Sequence, residues 1–136
     1  MRTPPALDAM NTKFKLLKLP GGNYLIAIAG GEVDGDGLAR IFREVSELSP
    51  SLLNCKVLID LEAARLRLQA SDMDALFYAL QPELGPHKIQ IAVVSAPEID
   101  ISNRLRLLTD SLSSAGLKVA VFGDTKSALG WLSDKP

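Results

Sequence analysis

The sequence predicts an α/β domain. It reads as a mostly parallel five-stranded sheet with one antiparallel edge strand from an N-terminal β-hairpin and helices on both faces, in the order β-β-α-β-α-β-α-β-α. Three observations carry this. Four apolar runs, Tyr24 to Gly30 (YLIAIAG), Cys55 to Leu61 (CKVLIDL), Lys88 to Ser95 (KIQIAVVS) and Leu117 to Gly123 (LKVAVFG), are near-continuous, as a sheet covered on both faces requires. Each is followed by turn residues and a segment of helical spacing, and that alternation implies right-handed crossovers between parallel strands. A fifth run, Lys13 to Leu19 (KFKLLKL), is joined to the first by Pro20-Gly21-Gly22-Asn23, a hairpin pattern.

The elements follow in order. Residues 1–11 hold two prolines and no periodicity, so they read as a loose tail before an α/β domain over residues 12–134. Met10 is an alternative start to Met1. Lys13 to Leu19 partly alternates basic and apolar side chains, as a half-exposed edge strand does, and its lysines discourage edge pairing. After the second strand, Asp34 or Asp36 is placed to cap a helix. Leu38, Ile41, Phe42, Val45 and Leu48 give that helix its apolar stripe, and Pro50 lies past its end.

The third strand ends at Asp60-Leu61. Glu62 to Ala70 (EAARLRLQA) fits either loop or helix. Ser71 offers a cap for a helix with Met73, Leu76, Phe77 and Leu80, stopped by Gly85-Pro86. The fourth strand ends at Ser95 before Ala96-Pro97, and Ser102 is the expected cap for Leu105, Leu108 and Leu112. Gly116 supplies the stop. After the fifth strand, Asp124 or Thr125 caps a short helix carrying Ala128, Leu129 and Leu132.

Composition narrows the function. The chain has 15 basic and 16 acidic residues and a net charge of −1, so it lacks the basic footprint of a nucleic-acid or anionic-membrane binder. Aromatics make up only 5%, too few for base-stacking platforms. No run approaches the roughly 18 apolar residues of a membrane span. The start has no apolar signal-peptide core, and the cytoplasm is the expected compartment. Cys55 is the single cysteine; it opens an apolar strand and reads as a buried, inert thiol.

Candidate chemistry is sparse. Gly30-Gly31-Glu32-Val33-Asp34-Gly35-Asp36-Gly37 sits where a phosphate cradle would, but its spacing is not GxGxxG. Its three acids repel an anion, so it reads as a tight strand-to-helix turn. His87, the single histidine, lies in a loop without a positioned partner and reads as solvated. One His and one Cys make an ordinary zinc site untenable. No cofactor is expected.

Ligands of open α/β sheets sit outside the carboxyl ends of the strands, which here offer Glu32, Asp60, Glu62, Ser95 and Asp124 as a strand-end pocket. Asp60 and Ser95, at adjacent strand ends, resemble the phospho-acceptor pattern of receiver domains. The first parallel strand closes on no acidic pair, however, and the last on no lysine nearer than Lys126.

A resemblance covering nearly the whole chain is to the anti-sigma-factor-antagonist (STAS) class, specifically the small bacterial branch grouped with CRAL-TRIO lipid-transfer domains. It is carried by the hairpin opening, the LIDL strand and the ending KVAVFGDTKSALGWL, with Phe122, Asp124, Ala128, Trp131 and Leu132. Antagonists of that class carry Asp-Ser-Ser-Gly, with a phosphorylatable serine, at the helix after the LIDL strand. This chain has Gln69-Ala70-Ser71-Asp72-Met73-Asp74 there. Ser71 is the candidate regulatory serine: a helix start tolerates phosphate, Asp72 and Asp74 oppose it, and capping alone explains a serine.

The resemblance implies a non-enzymatic regulatory or protein-interaction module with an unidentified protein partner. The alternatives are a carrier of a small apolar or lipid-like ligand, which needs a dry cavity above about 300 Å³, and a receiver-like phospho-acceptor. An enzyme is disfavoured, because no nucleophile–base pair or metal set is visible. A homodimer is also expected. It would form through the Lys13 to Leu19 strand or through a helix face carrying Leu107 and Leu108, since Ile101, Leu105, Leu107, Leu108 and Leu112 exceed one core-facing stripe.

Overall fold

The computed structural model describes residues 12–18, 24–48, 55–84, 89–96 and 99–133. Its elements are β1 (Thr12–Lys18), β2 (Tyr24–Asp34), α1 (Gly35–Leu48), β3 (Lys56–Leu61), β4 (Ala64–Arg67), α2 (Ala70–Leu84), β5 (Gln90–Ser95), α3 (Ile99–Ser114), β6 (Lys118–Phe122) and α4 (Thr125–Ser133). One sheet runs in the order β1-β2-β3-β5-β6, with β4 attached to β2. β1 is antiparallel to β2, and the other pairings are parallel. The expected hairpin edge and parallel body are present. The Pro20–Asn23 turn, residues 1–11, Pro50, Gly85-Pro86, His87 and Pro97 lie outside the described residues.

The sheet has six strands where five were expected. The addition is β4, within the stretch that fitted loop or helix. There Arg65 and Arg67 are exposed and Leu66 is half-buried, the alternation of a surface strand. β4 pairs with Gly31–Asp34, so the glycine-rich segment is largely the end of β2 and not a loop. Gly31 has φ of 72°, where β2 has left β3 after the Ile28–Asp60 pair and takes up β4. Glycine enters that left-handed region without a Cβ clash, which lets the strand bend toward a new neighbour.

Three helices cover one face. Leu38, Ile41, Phe42 and Val45 of α1 are at most 1% exposed. They share a core with Met73 and Leu76 of α2, with Leu105, Leu108 and Leu112 of α3, and with Leu25, Ala27, Ala29 and Val33 of β2, Val57, Ile59 and Leu61 of β3, and Ile91 and Val93 of β5. Among the described residues, the opposite face carries only α4. Its Ala128 and Leu132 pack on Leu58, Ala92 and Val94, flanked by Tyr24, Ile26, Phe122 and Trp131. The Phe122 and Trp131 ring centroids are 5.6 Å apart. The closing motif is thus the seal between β6 and α4.

Lys56 donates to the Leu132 carbonyl, and Gln90 Nε2 donates to the Trp131 carbonyl at 3.2 Å. Both satisfy orphan groups at the α4 C-terminus, where a cation also complements the helix dipole. Because α4 is short, no described element covers the β1–β2 end of this face, and Leu17 and Ile28 are 45% and 41% exposed.

The helix ends revise some expectations. Asp34 Oδ1 accepts the Gly37 N–H at 2.8 Å, so Asp34 rather than Asp36 caps α1. α2 starts at Ala70, which places Ser71 in its first turn and not at the cap. α3 starts at Ile99, three residues before Ser102, so Ser102 is no cap either. Gly116, at φ 96°, ends α3 as expected. Its N–H bonds the Ser113 carbonyl and the Leu117 N–H bonds the Leu112 carbonyl, a Schellman closure. Leu108 is 1% exposed, so it cannot share an outer dimer face with Leu107. Cys55 is buried, and desolvation pushes its thiol up to about 11, the inert state expected. Among the described residues, no helix is long and apolar enough to cross a membrane.

Candidate functional site

The carboxyl ends of the strands hold most of the polar side chains singled out from sequence, and the fold engages nearly all of them locally. Asp60 accepts the Glu62 N–H at 3.0 Å, closing the turn between β3 and β4. Glu62 accepts the Thr125 hydroxyl at 3.3 Å, which joins that turn to the start of α4. Glu32 pairs with Arg67 at 3.3 Å across the β2–β4 ladder. Ser95 is buried and donates to the Ala96 carbonyl at 3.2 Å.

Asp124 accepts the Ser127 N–H at 2.7 Å and the Ser127 hydroxyl at 3.2 Å. These bonds, led by the backbone one, hold its carboxyl below the usual value. Asp124 is therefore the N-cap of α4.

Register decides what these groups do together. Leu61 pairs with Ser95, and Asp60 pairs with Val94. Paired residues share a face and neighbours along a strand alternate. Asp60 consequently lies on the α4 face and Ser95 on the opposite one. Asp60, Glu62 and Thr125 meet at the rim, whereas Glu32 and Ser95 stand apart from them. Among the described residues, no three His, Cys, Asp or Glu side chains are grouped to hold a metal ion.

The rim continues into the start of α2. Asp72 Oδ2 accepts the Gln69 N–H at 2.8 Å, and the Asp72 N–H bonds the Gln69 carbonyl at 2.9 Å. This is the reach-back half of a capping box. Sequence reasoning missed it because Gln69 is an atypical cap and Ser71 a typical one.

Gly35, at the start of α1, abuts this cap: a Cβ there would lie 2.9 Å from Asp72 Cγ. Arg104 of α3 donates to the Leu68 carbonyl at 2.8 Å. The N-terminus of α2 is thus held by α1 on one side and α3 on the other. It presents Ser71, Asp74 and Ala75 to solvent.

Away from this rim, a concavity of about 470 Å³ lies between α3, β6 and Trp131 and includes Arg106, Asp110, Lys118 and Val121 among its walls. It is open and carries charged walls. No sequence signal beyond the four-residue spacing of Arg106 and Asp110 points to it.

No protein-family model matches the sequence, and no curated protein matches it. Solved structures do match. An anti-sigma factor antagonist from Mycobacterium paratuberculosis aligns at 18% identity over 90% of this chain and 95% of that one, with a TM-score of 0.58. An uncharacterized protein of the DUF3478 family with a SpoIIAA-like fold, from Shewanella loihica PV-4, aligns at 15% identity over 90% and 94%, with a TM-score of 0.54. The anti-sigma factor antagonist SpoIIAA in its unphosphorylated form aligns at 12% identity over 90% and 100%, with a TM-score of 0.52. At such identities the likeness is one of fold. The chain has the SpoIIAA-like, anti-sigma-factor-antagonist fold that its hairpin and closing motif resemble.

Proposed function

We propose that this protein is a non-enzymatic regulatory module of STAS type, working in the cytoplasm, which binds a protein partner through the rim at the N-terminus of α2. The observation that carries this reading is the exposure of Ser71 in the first turn of α2, after the LIDL strand. That is where antagonists of the resembled class carry their regulatory serine. The likeness in fold to two anti-sigma factor antagonists over 90% of the chain supports it. Ser71 is a contact residue in this reading. Asp72 and Asp74 flank it, and their charge opposes a phosphate.

Two alternatives have less support. A receiver-like phospho-acceptor needs Asp60 and Ser95 on one side of the sheet, and the register puts them on opposite sides. An apolar-ligand carrier needs a dry cavity, whereas the groove beside β6 is open and lined in part by Arg106, Asp110 and Lys118.

The test is affinity capture from the source cell with the wild type, Ser71→Arg, Asp74→Arg and a control, Glu47→Arg, at the far end of α1. The wild type and Glu47→Arg retain the same stoichiometric protein, and the two rim variants lose it at unchanged thermal midpoint. Equal retention by all four, or no stoichiometric protein, contradicts the proposal.

A further inference from the structure

We propose that the outer edge of β6 is a self-association surface, pairing antiparallel with β6 of a second copy of this chain. This stands apart from the rim at α2 and does not rest on its function. Among the described residues the sheet path ends at β1 and β6, the short β4 leaving a third edge that carries Arg65 and Arg67, and the two path ends differ. β1 carries Lys13, Lys15 and Lys18 in seven residues, the usual guard against edge pairing. β6 has one lysine, at its first position, followed by Val-Ala-Val-Phe.

The backbone direction at β6 follows from the ladder. The Gln90 N–H bonds the Cys55 carbonyl at 3.0 Å, so even-numbered residues of β5 serve β3 and odd-numbered ones serve β6. With Ile91 opposite Val119 and Val93 opposite Val121, Ile91 and Val93 engage Lys118, Ala120 and Phe122. Val119 and Val121 therefore turn their backbone groups outward. The Val119 carbonyl receives the Ser113 hydroxyl at 3.0 Å. The Val121 N–H and C=O have no partner among the described residues, and they border the 470 Å³ groove.

Charge selects a second copy as the occupant. Arg106 and Asp110 stand one turn apart on the α3 flank lining the groove; both are exposed, and neither is ion-paired among the described residues. A two-fold axis through Val121 puts Val121 opposite its own copy and runs the two α3 helices antiparallel alongside. Arg106 of one copy then faces Asp110 of the other, twice over, as an isologous interface requires. A net charge of −1 raises little long-range repulsion between copies. The dimer expected from sequence thus uses neither the lysine-bearing β1 nor Leu108.

Sedimentation velocity at micromolar concentration tests this. The wild type runs at twice its 14.6 kDa chain mass. Val121→Pro removes an outward N–H that the ladder does not use, a change tolerated on edges, and runs as a folded monomer. Arg106→Asp alone weakens the dimer by roughly tenfold or more through like-charge juxtaposition, and adding Asp110→Arg restores it. If Val121→Pro fails to fold by circular dichroism, the charge reversal and its rescue decide. A monomeric wild type overturns the proposal, as does a dimer indifferent to the variants that fold.

Discussion

Replacing Trp131 with alanine probes how α4 is held to its face of the sheet. α4 has nine residues, and only Ala128 and Leu132 are buried. An isolated helix of that length is not stable in water, so its packing must hold it. Truncating a fully buried tryptophan costs about 3–5 kcal/mol. Trp131 is only half-buried, which reduces the transfer part to about 1.5 kcal/mol. Losing the tilted contact with Phe122 at 5.6 Å adds about 0.5–1 kcal/mol. The open groove beside the ring leaves no sealed cavity. The expected loss is therefore about 2 kcal/mol, read as a lower urea midpoint at unchanged slope. A loss below about 0.5 kcal/mol, within the range of ordinary surface changes, would refute the anchoring role.

Other substitutions test the remaining layers. Ile59→Asp and Val93→Asp bury an unpaired charge at positions at most 1% exposed, costing several kcal/mol; neither should express solubly, and a folded variant would refute the strand assignment. Gly116→Ala meets no atom within 4 Å and is strained only by its φ of 96°, so it should cost about 1–2 kcal/mol in denaturant melts. Asp124→Ala should lower the thermal midpoint at neutral pH. The folded carboxyl titrates below its ordinary 3.8, so its contribution is present above 3.8 and lost as pH falls through the folded value. The gap between variant and wild type should close over that acid window, and a gap independent of pH would refute the capping role.

The parallel body of the sheet was legible because its strands are continuous apolar runs, and the α1 stripe because its spacing is regular. β4 was not legible. Its four residues are short, two of them arginines, and their partner is a glycine-rich stretch whose composition argues for a turn. The cap of α2 escaped for a similar reason: the working carboxylate belongs to Asp72, which reaches back to Gln69, while the conventional capping residue Ser71 stands exposed. Sequence placed the ends of β3 and β5, at Leu61 and Ser95, but not their register, and it stopped β2 at Gly30 where the strand runs on to Asp34. A one-residue offset separates Asp60 from Ser95 across the sheet. The groove at β6 depends on how α3 lies beside that strand, which no local pattern encodes.

The most direct test of the proposed interaction surface is hydrogen–deuterium exchange on the full chain, alone and with the protein it retains from its source cell. The account predicts protection concentrated over residues 69–76 at the start of α2, with the edge of β6 unchanged by the partner. Protection confined to other segments, or none at a saturating concentration of partner, would contradict it.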